Sequence, residues 1–318
     1  MKRRKFLAAA ALAGLSGRPN KGNLMDMIIH PVSQKPLPRR PYKNGMDLSV
    51  IGFGGIILKG MQQKTADRAI AEAVERGVNY FDVAPSYEDG AVEEKLGPAL
   101  AAYRNRVFLS CKTMEREAGA AEAELARSLR RLKTDHFDLY QFHAVTRPEE
   151  VERIFAAGGA METFIKARND GKIRYIGFSA HSESAALAMM DRFIFDSVLF
   201  PFNLVCYARG NFGPAVMERA KKEDVTRLAL KMLARGPWPE GATKAYTNTW
   251  YQPIDDVDGA RKAVRFTLSE DVTAAIPPGD IRLFRLALNL AAEFHALTAE
   301  ERAEIVAETR GMVPLFHS

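Results

Sequence analysis

Residues 107–143 read VFLSCKTMEREAGAAEAELARSLRRLKTDHFDLYQFH. Two apolar runs, Val107–Lys112 and Phe137–His143, bracket AEAELARSLRRL, whose apolar residues recur at helical spacing. Strand, helix and strand in that order make a parallel βα unit, since antiparallel neighbours need only a tight turn between them. The same alternation continues on both sides. Further strand candidates are Ser49–Phe53 and Tyr80–Val83 upstream, and Tyr175–Ser179, Ser197–Phe202, Arg227–Lys231 and Ala274–Pro277 downstream. Helical patterns such as SAALAMMDR fall between them. Eight strands alternating with helices predict an α/β fold of the (β/α)8 TIM barrel class. From periodicity alone a doubly wound open sheet is the alternative. GFGG after the first strand is not GxGxxG, so nothing favours a dinucleotide-binding open sheet. The barrel is expected over 48–318, preceded by a leader-like segment at 1–17 and a linker and N-terminal approach at 18–47.

A parallel barrel gathers its functional side chains at the C-terminal ends of its strands. Asp82 ends the second strand, Lys112 the third and His143 the fourth, and Tyr87 lies on the loop after the second. Taken singly these are a cap, a solvated lysine, a structural histidine and a half-buried ring; jointly they fall on one face. A phenol has a pKa of about 10, and a lysine cation nearby favours the phenolate and lowers that value. An aspartate holds the ammonium, and a histidine across the site orients a carbonyl oxygen. Together they make a general acid with electrostatic support, suited to reducing a carbonyl beside a hydride donor.

The order Asp82, Tyr87, Lys112, His143 resembles the catalytic tetrad of the aldo-keto reductase superfamily. The strings SVIGFGG, RSLRRLKTDHFDLYQFH, GKIRYIGFSAHS, FPFN and IPPG follow the family order, from residue 49 to Asn289. The resemblance implies an enzyme that uses NADP(H), without metal, to convert a small aldehyde or ketone to an alcohol. It also implies a cofactor site along Gly54, Gly55, Ser179, Leu230, Lys231 and Gly279, with Arg285 and Asn289 meeting the adenosine end. Phosphate groups suit the helix start after AAIPPG, and an arginine fork suits a 2′-phosphate. Several family positions are altered: Ala180 replaces an asparagine, Leu199 a glutamine, Leu230 an aromatic that stacks on nicotinamide, and Leu288 an acid. These changes leave a second reading open, a non-enzymatic barrel that senses nucleotide or ligand. The longest loop, from Ala234 to Gly259, carries Trp238, Trp250 and Tyr251, and the last two are candidates to wall the substrate pocket.

The remaining composition sets bounds. At 318 residues the chain is long for one average domain and ordinary for a single barrel. Its net charge of +6 and pI near 9.2 come partly from Lys2, Arg3, Arg4 and Lys5, and no basic run is interleaved with aromatics as a nucleic-acid groove requires. Cys111 and Cys206 belong to no metal-type cluster, and strand alternation turns Cys111 outward, toward the helices. Arg3-Arg4-Lys5-Phe6-Leu7 followed by AAAALAGL is a twin-arginine pattern with a short apolar run. It predicts the twin-arginine export machinery as a transient partner and a periplasmic or exported location, with cytoplasmic residence as the alternative.

Overall fold

The computed structural model describes residues 35–318. The twin-arginine pattern and residues 18–34 of the approach lie outside the described residues. In chain order the strands are β1 (Arg39–Pro41), β2 (Asp47–Ser49), β3 (Phe53–Gly54), β4 (Tyr80–Asp82), β5 (Phe108–Thr113), β6 (Phe137–Val145), β7 (Ile173–Ala180), β8 (Ser197–Phe200), β9 (Thr226–Leu230), β10 (Ala234–Pro237), β11 (Tyr251–Pro253) and β12 (Ala274–Ile276). The helices are α1 (Gln63–Glu75), α2 (Ala91–Leu100), α3 (Ala118–Arg131), α4 (Pro148–Phe155), α5 (Ala160–Asn169), α6 (Glu183–Arg192), α7 (Leu204–Gly210), α8 (Pro214–Lys222), α9 (Val257–Ser269), α10 (Ile281–Ala292) and α11 (Ala299–Glu308).

Eight strands form one parallel sheet in the order β12-β9-β8-β7-β6-β5-β4-β3. Ile51 pairs in parallel with Ala275, and Ala275 N–H donates to the Val50 carbonyl at 2.9 Å, which curls the sheet into a (β/α)8 barrel. The helices cover it because each is amphipathic. In α1, Ala66, Ala69, Ile70 and Ala73 are buried at the i, i+3, i+4, i+7 spacing of one helical face.

Period-2 alternation then splits the apolar residues into two cores. Phe81, Leu109, Cys111, Tyr140 and Phe142 face outward into the layer beneath the helices. Tyr80, Phe108, Leu139, Tyr175, Leu199, Leu228, Leu230 and Ile276 fill the barrel interior. Gly177 is required there, since a Cβ on it would stand 2.8 Å from Ser197 Oγ and 3.0 Å from Leu139 Cδ1.

The first strand differs from expectation. Ser49 belongs to β2, which pairs antiparallel with β1, and only Phe53–Gly54 lies in the barrel sheet proper. The resulting hairpin straddles the boundary expected at residue 48 and inserts Tyr42 into the interior. The Tyr42 ring meets Phe108 and Tyr175 edge-on at 4.9 and 5.2 Å, and its hydroxyl donates to Ser197 Oγ at 3.1 Å. The end of the barrel opposite the catalytic candidates is thereby stoppered.

Candidate active site

The topmost inward residues of three adjacent strands are Asp82, Lys112 and His143. Tyr80 and Asp82 share one face of β4, Phe108, Ser110 and Lys112 share one of β5, and Leu139, Gln141 and His143 share one of β6. Each column therefore runs from apolar interior to polar rim. The Lys112 ammonium donates to Asp82 Oδ1, and both side chains are almost wholly buried. Asp82 Oδ2 accepts from Ser110 Oγ at 3.1 Å, Gln141 Nε2 at 3.2 Å and the Tyr80 hydroxyl at 3.4 Å. Lys112 also donates to the Val83 carbonyl at 3.3 Å. Burial pulls the Lys112 pKa down, but the charges of Asp82 and Tyr87 and the hydrogen bond to Asp82 outweigh it and hold the amine above its ordinary value. The lysine stays a cation although it is buried, because its carboxylate is buried with it.

Tyr87 opens a tight 3-10 turn, Tyr87–Gly90, and its N–H donates to the Ala84 carbonyl at 3.0 Å. The next two residues, Glu88 and Asp89, adopt left-handed φ of 52° and 51°. Glu88 anchors the turn from both sides: its carboxylate accepts from Gly60 N–H at 3.1 Å and from Lys95 Nζ of α2 at 2.7 Å. The phenol ring lies 5.4 Å from Lys112 Nζ and 5.9 Å, edge-on, from the His143 ring. Burial raises the Tyr87 pKa, Lys112 opposes it and Asp82 adds to it, so the phenol ends above its ordinary value of 10. The lowering expected from Lys112 is present and is outweighed by desolvation.

His143 is aimed by a distortion in β6. The pairing of β6 with β7 slips between Phe142 and Val145, and Ala144 takes φ 53°. A bulge of this kind re-aims a side chain. Ser179 Oγ accepts the displaced Ala144 N–H at 2.8 Å, and Arg116 donates to the His143 carbonyl at 2.8 Å. Burial, followed by the charges of Lys112, His181, Lys231 and Arg116, holds the His143 pKa well below 6.5. Its Nδ1 lies 3.4 Å from Ser86 Oγ.

All four residues line one cleft of about 470 Å³. Gly54, Ser179, Leu230, Lys231 and Gly279 line it too, as do Trp250, Tyr251 and Leu199. Gly55 does not line it. Gly55 packs against its neighbouring strand instead, where a Cβ would stand 3.0 Å from Val83 Cγ2. Arg285 and Asn289 also lie outside the lining. Arg285 forks onto Glu72 of α1, and Asn289 accepts from Arg76 of the same helix end. Trp238 turns away and donates its indole N–H to the Thr249 carbonyl at 3.3 Å.

Sequence reasoning missed several wall residues. Lys59, Lys244, Asn248 and Thr249 also line the cleft, and a Cβ on Gly279 would stand 3.3 Å from the Asn248 carbonyl. His181 lines it as well, and its ring stacks at 5.3 Å on that of Phe316 in the C-terminal tail, behind the lining. His181 stood in the quoted string GFSAHS and carried a signal. Phe316 carried none, since its neighbours are distant in sequence.

Comparison with known proteins agrees with this geometry. The aldo/keto reductase family profile matches residues 50–249, more than half of the chain. The uncharacterized oxidoreductase YqkF of Bacillus subtilis is 25% identical over 83% of this chain and 94% of its own length. The aldo-keto reductase YhdN of the same organism is 32% identical over 64% of each chain. An aldo-keto reductase structure from Bacillus halodurans, in its holo form, superimposes with a TM-score of 0.68 at 23% identity, covering 86% of this chain and 96% of that one. One from Klebsiella pneumoniae in complex with NADPH gives 0.64 at 21% identity, covering 86% and 95%. The matched range contains Asp82, Tyr87, Lys112 and His143, and the chain belongs to the aldo/keto reductase family as an NADP(H)-dependent oxidoreductase.

Proposed function

We propose that the protein reduces an aldehyde or ketone to an alcohol, with Tyr87 as the proton donor. The observation that carries this reading is Lys112, held by Asp82 and lying 5.4 Å from the centre of the Tyr87 ring. The residues present fit NADP(H). Gly279 lines the cleft and stands just before the 12-residue helix α10, and Lys59 and Lys244 line the same cleft. A Cβ on Gly279 would stand 2.8 Å from Ile56 Cγ2, so only a glycine leaves the backbone this close. Leu230 offers an apolar face toward the nicotinamide end. When bound, NADPH supplies the hydride that the carbonyl carbon receives.

The chain's own residues manage the proton. Ser86 satisfies His143 Nδ1, which leaves Nε2–H to donate to the carbonyl oxygen. The imidazole is neutral, since its pKa lies well below 6.5. Tyr87 O–H passes its proton to the same oxygen as negative charge develops there. The phenolate left behind is stabilised by the Lys112 cation, whose charge Asp82 fixes in place. Solvent then restores the phenol.

The changes at Ala180, Leu199 and Leu230 keep the sensor reading as the alternative. Single-turnover oxidation of bound NADPH by a reactive aldehyde separates the two. Hydride transfer in wild type, lost in Tyr87→Phe while NADPH still binds, supports the reductase. Tight binding without transfer across a broad panel of aldehydes favours the sensor. Export through the twin-arginine route would carry the folded, cofactor-loaded protein outward, and mass spectrometry of freshly isolated material tests for the retained nucleotide.

A further inference from the structure

Gln141 lies on the inward face of β6 between Leu139 and His143, and it is fully buried. Its register partner on β5 is Lys112, while Ser110 of β5 is the register partner of Asp82 on β4. The amide nitrogen donates to Ser110 Oγ at 2.7 Å and to Asp82 Oδ2 at 3.2 Å. Nitrogen rather than oxygen faces Asp82, because an amide oxygen has no hydrogen to offer a carboxylate. Ser110 Oγ accepts from Gln141 and so turns its own hydrogen to Oδ2, at 3.1 Å. Both amide hydrogens thus serve one carboxylate, one directly and one through the serine. The amide oxygen is left out: among the described residues Gln141 Oε1 has no hydrogen-bond partner. A buried acceptor without a partner lowers stability. Leucine, which fills the same interior at Leu139 and Leu199, would avoid that loss.

We propose that Gln141 is a positioning residue for the proton donor: by engaging Asp82 Oδ2 it leaves Oδ1 to Lys112, and so fixes where the ammonium stands beside Tyr87. The proposal rests on the reductase reading and adds a residue to it. The contacts run from Gln141 to Asp82, from Asp82 Oδ1 to Lys112, and from Lys112 to the Tyr87 ring at 5.4 Å. Gln141 therefore acts two side chains away from the phenol. Without its amide, Oδ2 keeps only the Tyr80 hydroxyl at 3.4 Å and a Ser110 hydroxyl freed to rotate. The carboxylate can then turn both oxygens onto Lys112 and draw the ammonium out of place. The unpaired Oε1 is the stability given up for that hold.

The test is single-turnover oxidation of bound NADPH by 4-nitrobenzaldehyde, with NADPH titration and urea unfolding beside it. In Gln141→Leu the rate is expected to fall at least about tenfold, the worth of one hydrogen bond to a charged group. The NADPH dissociation constant moves less than about threefold, and the urea midpoint holds or rises, because the orphan oxygen leaves with the amide. In the Tyr87→Phe background the same change slows the rate less than about twofold, since both act on one proton transfer. Gln141→Glu is the conservative variant. A protonated carboxyl there still donates to Oδ2, whereas an ionised one repels it. The inward-facing ionisable groups around it are Tyr80 and Asp82 of β4, Lys112 of β5, His143 of β6 and Tyr175 of β7. Tyr42 lies in the plug below and Tyr87 at the mouth. Burial and Asp82 favour the protonated form, and Lys112 opposes them. The Gln141→Glu rate is expected to approach wild type near about pH 6.5 and to fall toward about pH 9, while wild type stays flat. A smaller loss of rate in Gln141→Leu overturns the proposal. So does a joint loss of rate, NADPH affinity and urea midpoint, or a Gln141→Glu deficit that is the same at every pH; each makes the residue structural only. If Gln141→Glu does not fold, Gln141→Leu and its double variant with Tyr87→Phe decide. If wild type itself oxidises no NADPH, the reductase reading fails by itself. The crystal structure of Gln141→Leu then decides the hold on Asp82, a turned carboxylate supporting it and an unmoved one overturning it.

Discussion

Glu72 of α1 closes both carboxylate oxygens on the Arg285 guanidinium of α10, at 2.6–3.1 Å. Arg285 is the side chain that the family resemblance aligns with the cofactor's adenosine phosphate. A fork already engaged by a carboxylate must let go, or share, before it meets a phosphate. Both partners are about a third exposed, so the pair contributes at most about 1 kcal/mol. Glu72→Gln is therefore expected to tighten NADPH binding by up to about fivefold and to leave NADH binding unchanged. Fluorescence titration with both nucleotides checks this; equal tightening of the two would detach Arg285 from the phosphate.

Tyr87→Phe keeps the ring beside Lys112 and His143 and removes only the acidic hydroxyl. General acid catalysis is worth about 10²–10⁴-fold. Single-turnover reduction of a neutral aldehyde such as 4-nitrobenzaldehyde is expected to slow by that factor, with the NADPH dissociation constant within about twofold of wild type. A variant as fast as wild type removes Tyr87 from the role of acid.

The pH dependence follows from two opposite shifts. In the proposed mechanism the active form of Tyr87 is the neutral phenol, and its raised pKa means this form is lost only as pH climbs above 10. The active form of His143 is the neutral imidazole, and its lowered pKa means this form is lost only as pH falls well below 6.5. The single-turnover rate with a neutral aldehyde should accordingly be flat from about pH 6.5 to 9. A descending limb centred near pH 8 would show the phenol to be depressed rather than raised.

The sequence announced the polar rim of the barrel because strand alternation and the strand–helix–strand pattern are both local rules. Asp82, Lys112 and His143 each end a short apolar run, and a closed parallel sheet leaves such ends on one side. The hairpin around Tyr42 went unread although its signal was present. Asn44-Gly45 supplies the two left-handed residues of a tight hairpin turn, at φ 51° and 75°, but its strands have only three residues each. Pairings such as Glu72 with Arg285, 213 residues apart, leave no local trace. The same holds for Lys231 against Phe316, where the chain's last residues return to a strand end. Apart from that short hairpin, what went unread came from contacts between distant segments.

Ser179 tests how the histidine is aimed. Its hydroxyl is the acceptor for Ala144 N–H at 2.8 Å, and it is itself almost fully buried. Ser179→Ala leaves that N–H without a partner, which costs about 1–3 kcal/mol. The left-handed Ala144 is the strained member of the bulge, so the loss falls on the segment that points His143 into the cleft. Two readouts should move together. The urea midpoint should drop, and the single-turnover rate should fall while NADPH binding weakens less than about threefold. If nicotinamide contact is the larger role of Ser179, the NADPH dissociation constant rises by more than the rate falls. If the bulge matters most, the rate falls further and His143→Ala adds little on top of Ser179→Ala, because both changes remove the same directed imidazole.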